Sequence, residues 1–143
     1  MTKEIIFCVL ASFFSAIMMK APKNSLVNII AGSTITASIE RLLTPIYGEL
    51  ISCMLAMACL VFFCELSARI LQMPTTVILM PSTIPLLPGS AIYYTMFYMI
   101  ASNNELMLKY AKSTAFAGLG IALGGIISSM ILRFVTEIRH SGK

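Results

Sequence analysis

The sequence predicts an all-α integral membrane protein, a bundle of about five transmembrane helices with the fourth broken by prolines. Three observations predict it. Hydrophobic residues make up 58% of the 143 and charged residues only 11%, with a mean hydropathy of +0.90, whereas a soluble domain carries about 25% charged residues. The apolar runs are separated by short clusters of Lys, Arg, Glu and Pro. Between Arg69 and Glu105 the chain runs 35 residues without a charge, with Pro81, Pro85, Pro88 and Gly89 in the middle. A straight helix of that length would reach about 52 Å, against a hydrocarbon core of roughly 30 Å. Each proline lacks an N–H and clashes with the carbonyl four residues back, so a regular helix cannot pass through. Irregular backbone at membrane depth survives only where protein buries it or where it lines a cavity.

The elements follow in order, as one membrane domain over residues 1–143. Residues 5–19 form a first apolar segment, short for a span unless Lys3, Glu4 and Lys20 reach the interfaces. Lys3 precedes this run as in a signal peptide, but no small-residue cleavage site follows before Lys20, so a retained helix is expected. Residues 25–39 are more polar, and Ser25, Asn28, Gly32 and Thr36 fall on one helical face. Glu40, Arg41 and Pro45 are expected to end that segment. Residues 47–64 form a third, closed by Glu65 and Arg69 as an i, i+4 pair. The broken run occupies 73–102, and residues 113–132 give a final span between Lys112 and Arg133. In that last helix Gly120, Gly124 and Ser128 form a small-residue seam of the kind that lets helices approach closely in lipid.

The net charge of +4 is spread over segment ends, where headgroups explain it better than a nucleic-acid surface. Cys8, Cys53, Cys59 and Cys64 lie in apolar segments without zinc-ligand spacing and are expected to behave as small hydrophobes. His140 is the one histidine and lies in the charged tail. No nucleophile–base pair or metal cluster appears, so an enzyme and a bound cofactor are not expected.

The chemistry concentrates at the break. Prolines 81, 85 and 88 are expected to free the carbonyls of Val77, Pro81 and Ile84. A second half-helix is expected to start near Ser90 as N-cap, turning the amides of Ala91, Ile92 and Tyr93 toward the break, where they would favour a carboxylate. Ser82, Thr83 and Ser90 add hydroxyls. A zwitterionic amino acid would find partners for both charges, so Pro81, Ser82, Thr83, Pro85, Pro88, Gly89, Ser90 and Tyr93 are the candidate substrate-binding residues. A proton-coupled transporter needs an ionisable group in the membrane. Glu40, Glu49 and Glu65 all lie near expected segment ends, and Glu49, one turn inside its segment, is the candidate for coupling.

The run from Met80 to Tyr93, Met-Pro-Ser-Thr-Ile-Pro-Leu-Leu-Pro-Gly-Ser-Ala-Ile-Tyr, resembles the signature of the threonine/serine exporter family. It is similar to the family's second-half domain, which also occurs as a separate small subunit. The resemblance implies export of threonine- or serine-type amino acids, or of small dicarboxylates, across the bacterial inner membrane. It also implies a partner membrane subunit carrying the first half. The polar face of the second segment and the seam of the fifth are expected to need such a partner. Two other readings compete: a non-transporting assembly scaffold, and a small multidrug-type homodimer. The latter class depends on a glutamate within its first helix, where this chain has only Glu4 at the edge.

With five spans, Lys3, Arg41, Lys109 and Lys112 fall on one side. The other side carries Lys20, Lys23, Arg69, Arg133, Arg139 and Lys143. The excess of basic residues places the C-terminus in the cytoplasm and the N-terminus outside. A reporter after Lys143 should read cytoplasmic and one before Met1 external; both ends on one side would reject five spans.

Overall fold

The computed structural model describes the backbone of residues 2–141 and the side chains of residues 6–134. The charged groups Lys3, Glu4, Arg139 and His140 therefore lie outside the described side chains. Five helices follow in order: α1 (Thr2–Met18), α2 (Lys23–Leu71), α3 (Thr75–Ser82), α4 (Gly89–Ile100) and α5 (Asn104–Ser141). One 3-10 turn, Ile84–Leu86, stands between α3 and α4. Among the described residues there is no strand. Two helices, Lys23–Leu71 and Asn104–Phe134, are long and apolar enough to cross a membrane, and the bent pair Thr75–Leu86 and Gly89–Ile100 makes a third if it counts as one span.

The second and third expected segments are one element. The helix runs through Glu40, Arg41 and Pro45, and the corner falls at Gly48, with φ 80° and ψ 171°. A side chain is strained at that φ, which is why glycine stands there. Pro45 removes one backbone hydrogen bond three residues before the corner, where little helix remains to be disturbed. The two arms fold back on each other. A methyl group on Gly32 would lie 3.3 Å from Leu60 and 3.4 Å from Phe63, so residues far apart along α2 are side by side. A straight rod of this helix would be about 73 Å long, but folded at Gly48 each arm is about 36 Å, matched to a bilayer.

The polar face of the first arm turns inward. Ser25, Gly32, Ser33 and Thr36 are buried. Their hydroxyls are satisfied by the chain's own carbonyls: Ser25 donates to Pro22 at 2.8 Å and Thr36 to Gly32 at 2.7 Å. Back-bonding of this kind lets a serine- and threonine-rich face sit in a dry interface. α1 lies against α2 and buries Ser12 and Ala16.

The seam of α5 also packs inside the chain. A methyl at Gly120 would stand 2.5 Å from the Leu50 carbonyl oxygen and 3.0 Å from Cys53 Cβ, and one at Gly124 would collide with the Met54 carbonyl. Ser128 is buried and donates to the Gly124 carbonyl at 2.7 Å. Glycine at both positions lets the α5 backbone lie close against the backbone of the second arm of α2. Both faces that the sequence offered to a partner are thus used within this chain.

α3 is tied to α2 at both ends. Thr75 donates to Glu65 at 2.8 Å, and the Ser82 hydroxyl donates to the Ile29 carbonyl at 3.3 Å. α4 rests on α5 through Tyr94 and Tyr98, which meet Tyr110 at centroid distances of 5.2 and 5.6 Å.

Replacing Gly120 or Gly124 by Val should force α2 and α5 apart and cost at least about 1–3 kcal/mol, the range for overpacking. Gly118→Val, with open space around its Cβ, should change stability by less than about 0.5 kcal/mol. Thermal unfolding in detergent micelles measures both, and equal midpoints for the three variants would reject this α2–α5 contact.

Candidate functional site

The chain leaves helical geometry between Ser82 and Gly89, and the two limbs meet at a bend of 48°. Pro81 lies inside α3, in its last turn, and the helix continues to Ser82. Thr83 tightens the end, its N–H reaching the Leu79 carbonyl at 3.0 Å and that of Met80 at 3.4 Å. The turn then carries its own bonds, Leu86 N–H to Thr83 at 3.0 Å and Leu87 N–H to Ile84 at 3.1 Å. The Ile84 carbonyl, expected to be free, is therefore occupied. Pro85 and Pro88 have no N–H to satisfy, which suits them to a stretch with few acceptors.

α4 starts two residues earlier than expected. Pro88 occupies the N-cap position, and Ser90 lies in the first turn instead of capping it. The Ile92 N–H is bonded to the Pro88 carbonyl at 3.0 Å and that of Gly89 to Leu87 at 2.8 Å. The amides of Ser90 and Ala91 remain at the helix start without an intrahelical acceptor, as helix geometry requires. The anion-favouring donors are thus on Ser90 and Ala91, not on Ile92 and Tyr93.

These residues open on a cavity of about 350 Å³. Its wall at the break is Pro85 through Ala91. Glu40, Arg41 and Thr44 come from the first arm of α2 and Glu49 and Cys53 from the second. Cys8 of α1 and Ser113 and Ala117 of α5 complete it. Five separate stretches of chain converge there, and the Gly48 corner brings Glu40 and Glu49 to the same space. Arg41 supplies a guanidinium suited to a carboxylate, and the glutamates supply acceptors for an ammonium group. Glu40 lies eight residues before the corner, so about 12 Å of helix separates it from the end of the hairpin.

Of the residues proposed from sequence, Pro85, Pro88, Gly89, Ser90 and Glu49 line this cavity. Pro81 and Ser82 are fully buried in the contact of α3 with α2. The Thr83 hydroxyl turns back to the Leu79 carbonyl at 2.7 Å. Tyr93 is 64% exposed on another face of α4, stacked on Phe97 with centroids 6.3 Å apart. Glu40, Arg41 and Thr44 were missed as site residues. Their signal was present: a charged pair with uncharged sequence on both sides, from 24 to 39 and from 42 to 48.

Apolar helices around an interrupted span, with charged side chains gathered where it is interrupted, define an α-helical membrane protein of the transporter class. The family model described as "Threonine/Serine exporter, ThrE" matches residues 4–131, and the chain belongs to this family. Comparison with curated proteins and with solved structures found no match.

The open surroundings of Gly89, with no atom within 4 Å of where a methyl group would stand, set a further expectation. Gly89→Leu should fill cavity space and shift stability by less than about 0.5 kcal/mol. Ser82→Leu, forced against Gly32 and Ile29, should cost about 1–3 kcal/mol. Thermal unfolding of the two variants separates them, and a reversed order would misplace both residues.

Proposed function

We propose that the protein is a subunit of a secondary transporter that exports small polar metabolites from the bacterial cytoplasm. It works as a multi-pass protein of the inner membrane, with a partner membrane subunit carrying the first half of the exporter. Its role is to bind and pass a substrate, with no chemical conversion. One observation carries this reading: the break between α3 and α4 opens on a cavity that holds both signs of charge.

A threonine- or serine-type amino acid suits that cavity. Its carboxylate would lie against Arg41 and the amides of Ser90 and Ala91, and its ammonium group against Glu40. A dicarboxylate is disfavoured because Glu40 and Glu49 would repel its second charge. Glu49 keeps its proposed role in coupling, now with Glu40 beside it in the same cavity. The seam that would support a scaffold is already filled by α2, so that reading loses its main observation.

The test is export of L-threonine from cells carrying the chain and its partner, normalised to the amount of protein in the membrane. Gly89→Leu and Arg41→Gln should each lower export at least about tenfold, as loss of one charge-assisted contact would. Normal export in both variants would place the substrate path elsewhere. Export by the purified chain alone in liposomes would remove the need for a partner.

A further inference from the structure

A second, larger cavity of about 570 Å³ lies between α2, α3 and α5, and it also holds both signs of charge. Glu65, Arg133, Thr75, Thr76 and Ser129 provide its polar lining. Three elements show that it stands at the opposite end of the bundle from the cavity at Pro88. On the second arm of α2, Glu65 and Val61 line this cavity, while Cys53 and Glu49 line the other. Glu65 and Glu49 are about 24 Å apart along the helix. On α5, Arg133 and Ser129 stand at this end and Ala117 and Ser113 at the other. Along the broken span, Thr75, Thr76 and Leu79 face this cavity, and Pro85 through Ala91 face the cavity at Pro88.

Between the two cavities lies a closed layer. Ile29, Leu60, Ile78, Ser82 and Leu86 are all at most 1% exposed, and a methyl on Gly32 would stand 3.1 Å from the Ser82 hydroxyl. No solute could pass this layer without a movement of α3 relative to α2.

We infer that the cavity at Glu65 and Arg133 is a second binding station for the same substrate, on the opposite side of a barrier formed by Ser82 and Gly32. The inference rests on the transporter reading above. Arg133 makes no ion pair among the described residues within the cavity, and its guanidinium matches a free carboxylate. Glu65 already accepts from Arg69 at 3.3 Å and from Thr75 at 2.8 Å, so it is held in place to receive an ammonium group. The hydroxyls of Thr76 and Ser129 complete a lining that suits a small amino acid. A dicarboxylate would meet repulsion from Glu65.

The barrier makes the two stations addressable from different sides. Thr76→Cys and Ser90→Cys, made separately in the full chain, are treated in oriented membrane vesicles with a membrane-impermeant maleimide, with the natural chain as control. Reagent on one face should label Thr76→Cys, and reagent on the other should label Ser90→Cys. L-threonine at about ten times its dissociation constant should slow both reactions about tenfold, and succinate should slow neither. Adding Arg133→Gln should remove the protection at position 76 and leave that at position 90. Protection at position 90 without protection at 76 would overturn the second station while leaving the transporter reading intact. Protection at neither position would remove both. Labelling of both from the same face, or protection at 76 undiminished by Arg133→Gln, would overturn the inference.

Discussion

In hydrocarbon no water is available to a bare N–H or carbonyl, and an unsatisfied group there costs several kcal/mol. Every departure from helical geometry in this chain has to answer that constraint. The corner at Gly48 does so by using the one residue type that takes φ 80° without strain, and the Ser52 hydroxyl bonds back to the Gly48 carbonyl. The break from Thr83 to Pro88 does so with 3-10 bonds and with two prolines that have no donor to satisfy. What remains unsatisfied, the amides of Ser90 and Ala91, faces a cavity lined by charged and hydroxyl groups. The polar site and the irregular backbone thus occur in the same place because each makes the other tolerable.

The same constraint governs the hydroxyl-rich interior. Ser25, Ser33, Thr36 and Ser128 are buried, and each bonds a carbonyl three or four residues back. No buried polar side-chain atom among the described residues lacks a partner. Ser82 and Thr75 are different, since their hydroxyls cross from α3 to α2. With apolar tails on both sides of any helix, close packing supplies most of the attraction between helices. Gly120 and Gly124 allow it for α5, and Gly32 allows it for the two arms of α2 and for α3. This rigid α2–α5 core is the frame against which the break is held.

Much of the architecture was legible from local patterns. The uncharged runs located the apolar helices, and the proline-rich stretch contains the bend between α3 and α4, although Pro81 itself lies within α3. The run from Met80 to Tyr93 identified the family on residues that the family comparison then matched. The glycine seam was read as a packing surface, though not that α2 would fill it. Helix ends were less legible. Glu40 and Arg41 looked like the end of a segment because charges normally mark one, yet here the helix carries them past that point to face a polar cavity. Ser90 looked like an N-cap by residue type, but Pro88 takes that position without a side-chain cap, and Ser90 falls in the first turn.

The sequence by itself determined that this is a membrane protein, that the long uncharged run carrying Pro81, Pro85 and Pro88 is not one straight helix, and that small residues line α5. Those properties follow from hydropathy, from the covalent geometry of proline and from side-chain size, all of which are local. Only the tertiary structure decided which polar residues share a space. Residues 40, 49, 88 and 113 meet because α2 doubles back at Gly48 and α5 docks against its second arm, and no spacing along the chain encodes that convergence. Ser82 and Tyr93 were separated from the cavity for the same reason: the pitch and docking of their helices turn Ser82 into a buried contact and Tyr93 away from the site.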